Sequence, residues 1–98
     1  MALPTFDTQQ APTPAVGGRA LNASADALVK TGPGDLVGIF VASGTPTIKV
    51  WDNTSGATTV LVNTFQAAAG VWYPLPFHFS VGCYVDVTGT CDYTVSYH

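Results

Sequence analysis

From residue 25 onward, apolar and polar positions alternate in short runs punctuated by glycine. ADALVKT leads into Gly32-Pro33-Gly34-Asp35, and LVGIFVAS runs to Gly44-Thr45-Pro46. TIKVWDNT closes at Ser55-Gly56, and TTVLVNTF ends at the small-residue break AAAG, residues 67–70. VWYPLPFHFS, CYVDVT and CDYTVSYH follow, separated by turns at Val81-Gly82 and near Gly89. Alternation with period two, rich in Val, Thr, Ile, Tyr and Phe, predicts β-strands. Seven or eight such strands at spacings of roughly ten residues, without intervening helices, predict an all-β, antiparallel β-sandwich or jelly-roll-like barrel. NASADALVK, with Asn22 as N-cap, has helical character, but the Gly-Pro-Gly turn after it favours a hairpin.

The alternation also assigns faces. Ile48 and Val50 point inward, leaving Lys49 and Trp51 outward. Cys83, Val85 and Val87, then Cys91, Tyr93 and Val95, share the inner face. With Thr88-Gly89-Thr90 as a hairpin turn, Cys83 is expected opposite Tyr93 or Val95. That offset disfavours a Cys83–Cys91 disulfide, so both are read as buried free thiols.

VWYPLPFHFS (71–80) combines core-strand aromatics with two prolines. Pro74 and Pro76 are two apart, so both missing N–H donors fall on one lateral side, as suits a blunted edge strand. Val71, Tyr73, Leu75, Phe77 and Phe79 are then core, and Trp72, Pro74, Pro76 and His78 face out. An outward Trp51 or Trp72 is either an intersubunit contact or a ring lying flat over its own sheet or under an N-terminal arm.

Residues 1–24 form that arm, with the sandwich occupying 25–98. The arm is rich in Pro, Ala, Thr and Gly, shows no sustained periodicity, and holds Leu3 and Phe6 as isolated apolar anchors. The expected binding surface of the arm is a neighbouring chain. Wrapping on its own domain is the alternative.

Composition narrows function. The 98 residues suit one domain. Charged residues are 9% and hydrophobic residues 47%, against about 25% charged in an average soluble domain. Burial of part of this surface in an assembly is the expectation. Arg19, Lys30 and Lys49 are the only strong cations against six aspartates, too few to neutralise phosphates, so no nucleic-acid or anionic-membrane partner is expected. The first residues lack a basic region followed by an apolar run, so no secretory leader is expected and synthesis in a cytosol is.

Catalytic chemistry is not expected. His78 lies in an apolar strand, with Asp86 or Asp92 as the acids that could approach it, and His98 is the last residue given. Most aspartates sit in or beside turns, where they cap backbone donors. Asp52-Asn53-Thr54-Ser55-Gly56 lacks the further spaced carboxylates of a calcium loop. No nucleophile elbow, phosphate loop or zinc spacing is present, and no cofactor is expected.

The run ALVKTGPGDLVGIFVASGTPTIKVWDNTSG, followed by TTVLVNTF and WYPLPFHFSVGCYV, resembles small all-β structural proteins of tailed bacteriophages, of the capsid decoration or cement type. The resemblance covers about residues 25–87 and rests on strand and turn grammar. It implies a non-enzymatic virion protein, made in the host cytoplasm and often trimeric, that sits on the capsid surface over junctions of the major capsid protein. The interface expected on that reading involves Leu3, Phe6, Trp51, Trp72, Pro74 and Pro76. The alternative is a tail, baseplate or head-fibre module that stacks Trp51, Trp72, Tyr73 or Tyr97 on a host glycan.

Overall fold

A computed structural model describes residues 18–98, so Leu3 and Phe6 lie outside the described residues. Among the described residues there are nine strands: β1 (Arg19–Ala23), β2 (Ala27–Thr31), β3 (Gly34–Gly44), β4 (Thr47–Trp51), β5 (Val60–Gln66), β6 (Val71–Pro74), β7 (His78–Phe79), β8 (Gly82–Thr88) and β9 (Cys91–Tyr97). All pairings are antiparallel. One sheet runs β1-β9-β3-β6, with β7 also on β3, and the other runs β2-β8-β4-β5.

The expected all-β sandwich is what the chain forms; it does not close into a barrel. Read position by position across the two sheets, β1 matches β2, β9 matches β8, β3 matches β4 and β6 matches β5. The chain neighbours β1–β2, β3–β4, β5–β6 and β8–β9 therefore stack across the core, while β4 and β5 pair edge to edge within one sheet. That is the strand order of a double-sheet jelly roll.

This order corrects two expected hairpins. The 88–90 turn carries the chain from β8 in one sheet to β9 in the other, so Cys83 pairs with Lys30 of β2, not with Tyr93 or Val95. Gly32-Pro33 likewise joins β2 and β3 across the sandwich. A glycine-rich corner and a glycine-rich hairpin share local chemistry, and only distant partners separate them. Gly44 shows the cost of such a corner: it has φ 86°, and an added Cβ would lie 2.1 Å from the Thr90 carbonyl oxygen. The helical alternative over NASADALVK is replaced by the end of β1, a bend and β2.

The sandwich also begins earlier than residue 25. Arg19–Ala23 pair with β9 from Tyr97↔Arg19 to Tyr93↔Ala23, where β9 offers an otherwise open edge. Pairing on an existing template orders a segment whose own pattern is weak.

The inner faces meet as expected. Ile39, Val41, Ile48, Val50, Val85, Tyr93 and Val95 are fully buried, with Phe79, Cys83 and Leu36 closing one end. Each such apolar side chain contributes on the order of 1.5–3 kcal/mol by leaving water. Tyr93 is the polar exception, and its hydroxyl donates to the Ala25 carbonyl. Phe65 of β5 and Tyr73 of β6 lie 5.2 Å apart at a 53° tilt, closing the open side between the sheets. Cys83 and Cys91 are both buried and free.

VWYPLPFHFS is two strands, not one. Phe77 N–H donates to the Leu75 carbonyl at 2.9 Å, closing a three-residue turn centred on Pro76. Proline's fixed φ suits that turn. The bend ends the alternation: Phe79 is buried and Tyr73 and Leu75 are half-buried, but Phe77 and Val71, expected in the core, are exposed.

Candidate interaction surface

β6 is an edge strand, and its pairing with β3 sets out the surface. The register places Tyr73 opposite Ile39, Trp72 opposite Phe40 and Pro74 opposite Gly38. Leu75 donates its N–H to Val37 at 2.9 Å, so odd positions turn their donors toward β3 and position 74 faces away. Pro74 therefore removes a donor from the free edge, as expected, and makes it a poor template for a further strand. Pro76 lies beyond the strand, at the bend.

Trp72 faces outward and is 46% exposed, and Phe40 opposite it is 40% exposed. Gly38 lets the indole lie down: a Cβ there would meet Trp72 Cη2 and Cζ2 at 2.6 Å and the Tyr73 carbonyl oxygen at 2.5 Å. Trp72 thus rests on its own sheet and still presents nearly half of its surface. With exposed Pro74 alongside, it makes an apolar face on the β3–β6 half of this sheet. Across the β9–β1 half the same rows continue as Thr94–Asn22 and Ser96–Ala20, so the apolar character stops at β3. Phe40 was not among the expected contact residues. Its signal was present, because Ile39-Phe40-Val41 alternates between two core residues.

Trp51 behaves differently. It stands in a row across the other sheet, with Val60 on one side and Tyr84 then Leu28 on the other. Loop 52–59 folds back over this row. Gly56 approaches Trp51 Nε1, Tyr84 Cε2 and the Asp86 carboxylate, at 3.4, 3.5 and 3.7 Å from a Cβ built on it. Lys49 Nζ lies 4.4 Å from the Trp51 ring centre, a cation–π contact. Trp51 is half-buried by its own chain, and its Nε1 is buried without a hydrogen-bond partner. Of the two expectations for an outward Trp51, the geometry is that of a ring partly covered by its own chain.

Loop 52–59 is held at both ends. Asn53 Nδ2 donates to the Ala57 carbonyl at 3.0 Å and to Thr58 Oγ1 at 2.8 Å. These bonds hold Thr58 at φ 65°, a conformation that β-branched residues avoid. The Asp52 carboxylate accepts N–H bonds from Ser80 (3.0 Å), Val81 (2.8 Å) and Gly82 (3.4 Å), joining the loop to the β7–β8 turn. Partial burial pushes the Asp52 carboxyl up, but the N–H groups of Val81, Ser80 and Gly82, with nearby His78, outweigh it and hold its pKa below the ordinary value.

The titratable groups form no evident catalytic arrangement among the described residues. His78 Nδ1 meets Asp35 Oδ1 at 2.9 Å, not Asp86 or Asp92, and the side chains are 63% and 60% exposed. A surface pair of this kind contributes at most about 1 kcal/mol. Burial first, and the Asp52 charge second, push the Cys83 thiol up to about 12, so it is protonated and unreactive. Burial and Asp92 raise Cys91 in the same direction. Among the described residues no group of three or more His, Cys, Asp or Glu side chains could hold a metal ion. Tyr73 turns inward and its hydroxyl accepts from Ala68 N–H at 2.8 Å, so that hydroxyl is engaged within the chain. Tyr97 is half-buried against the core.

No protein-family model, curated protein or solved structure matches this chain.

Proposed function

We propose that this chain is a non-enzymatic structural protein of a tailed-phage particle, a decoration or cement protein that binds over junctions of the major capsid protein and strengthens the shell. The observation that carries the reading is the exposed Phe40–Trp72–Pro74 face on a donor-poor sheet edge. Large aromatics on an outer face are costly to leave wet and are enriched where proteins associate. A chain with 9% charged residues has little else with which to keep such a face apart from partners. The jelly-roll strand order is used by capsid domains, which supports the reading as a fold-level analogy. The strand and turn grammar of residues 25–87 supports it on resemblance. On this reading the protein assembles as a homotrimer on the capsid surface, after synthesis in the host cytoplasm, and needs no cofactor, nucleic acid or membrane.

The test uses particles from the protein's source, stripped of this chain. Wild-type protein added back should saturate the particles and co-sediment with them. Trp72→Ser should bind at least about 30-fold more weakly, the loss expected of an interface hot spot near 2 kcal/mol. Equal binding by a folded Trp72→Ser protein would remove this face from the interaction.

A further inference from the structure

The Phe40–Trp72–Pro74 face has a second candidate occupant within the same chain. Residues 1–17 precede β1, and they leave the described structure at Gly18, beside Tyr97 and His98. That point belongs to the same sheet as the apolar face. From β1 to β6 is three strand spacings, about 14 Å, and from Gly18 to the Asn22–Thr94–Phe40–Trp72 row is about 13 Å along the strand, so the direct span is near 19 Å. Residues 7–17 extend to about 36 Å, enough to bring Leu3 and Phe6 onto the face with slack.

The chemistry matches. Asp7 is the one charged side chain in residues 1–17, and Leu3 and Phe6 are isolated bulky apolar residues flanking Pro4 and Thr5. A proline restricts both itself and the residue before it to extended backbone, which lowers the entropy lost on docking. Aromatic surfaces are established receptors for extended proline-containing segments. A tether of this length also gives an effective concentration on the order of millimolar, so the segment's own face outcompetes that of a second copy in dilute solution.

We infer that the Leu3-Pro4-Thr5-Phe6 stretch docks on the Phe40–Trp72–Pro74 face of its own chain in the free protein. This inference uses the same face as the shell-binding reading, but its test needs no particle, so the two fail separately.

The experiment places p-benzoylphenylalanine at position 6 of the full chain, irradiates the purified protein, and maps the crosslinks by mass spectrometry. The expected result is a crosslink within one chain to residues 38–42 or 72–74, with a yield unchanged by hundredfold dilution. Crosslinks between chains that fade on dilution would overturn the inference in favour of a second copy, and absence of crosslinks to this face would overturn it outright. In parallel, the full-length Leu3→Ser/Phe6→Ser protein should show more acrylamide quenching of tryptophan fluorescence than wild type. That difference should vanish when both proteins also carry Trp72→Phe. Equal quenching of wild type and the double variant would contradict the docking.

Discussion

Asp52 stands where two loops meet, and its worth depends on its charge. Its carboxylate accepts from three successive backbone N–H groups, Ser80 to Gly82, and this holds its pKa below the ordinary value of 3.8. Because the folded-state pKa is depressed, the stabilisation is fully present above the unfolded carboxyl value and is lost as pH falls through the folded one. Asp52→Asn should therefore lower stability at pH 7 by about 1 kcal/mol, toward the low end for charged hydrogen bonds because solvent screens the group. Thermal melts of both proteins between pH 7 and pH 2 should show a gap that closes only below pH 3.8. A gap constant across that range would mean that the carboxylate's charge plays no part.

The two cysteines give a second residue-scale prediction. Both thiols are buried, and burial pushes Cys83 up to about 12. Native protein should react with a thiol reagent only as fast as it opens, and a reducing agent should leave the Tm unchanged. A Tm drop of several degrees on reduction would reveal a disulfide, which typically contributes about 2–4 kcal/mol.

At the scale of the element, β6 joins packing to surface. Gly38 must lack a side chain because Trp72 and the Tyr73 carbonyl occupy its outer side. Gly38→Ala should cost roughly 1–3 kcal/mol, the range for overpacking, since one of the blocking atoms is backbone. Differential scanning calorimetry would check it, and an unchanged Tm would mean that the indole does not lie over Gly38. Trp72→Ala has a different profile. The ring is nearly half exposed, so association should suffer more than folding.

Much of this element was legible in the sequence. Local alternation placed Tyr73, Leu75 and Phe79 toward the core and Trp72 and Pro74 outward, because side-chain direction follows a period of two. The bend at Pro76 was not legible, since a proline in an extended run fits both a straight edge and a tight turn. Trp51 shows the same limit. Its outward direction followed from Ile48 and Val50, but its cover depends on loop 52–59 folding back, which Asn53 and Asp52 enforce through partners chosen in three dimensions. Phe40 is legible in Ile39-Phe40-Val41, where it alternates between two core residues.

At the scale of the whole molecule, the strand order had to come from the structure. Each short glycine-rich connection is compatible with a hairpin, and the choice of a corner is made by core residues far apart in sequence, such as Ile48, Val85 and Val95, meeting in one layer. The resulting jelly roll buries its apolar strands between two sheets and leaves the Phe40–Trp72–Pro74 face outside. A small, weakly charged sandwich with such a face is suited to repeated docking, where many weak contacts act together.

The most direct test of that account is the copy number of this chain in purified particles from its source, by quantitative mass spectrometry. The account predicts hundreds of copies, in simple ratio to the major capsid protein. A dozen copies would move the protein to the portal, tail or baseplate, and none would contradict the virion reading and redirect attention to glycan binding by Trp72.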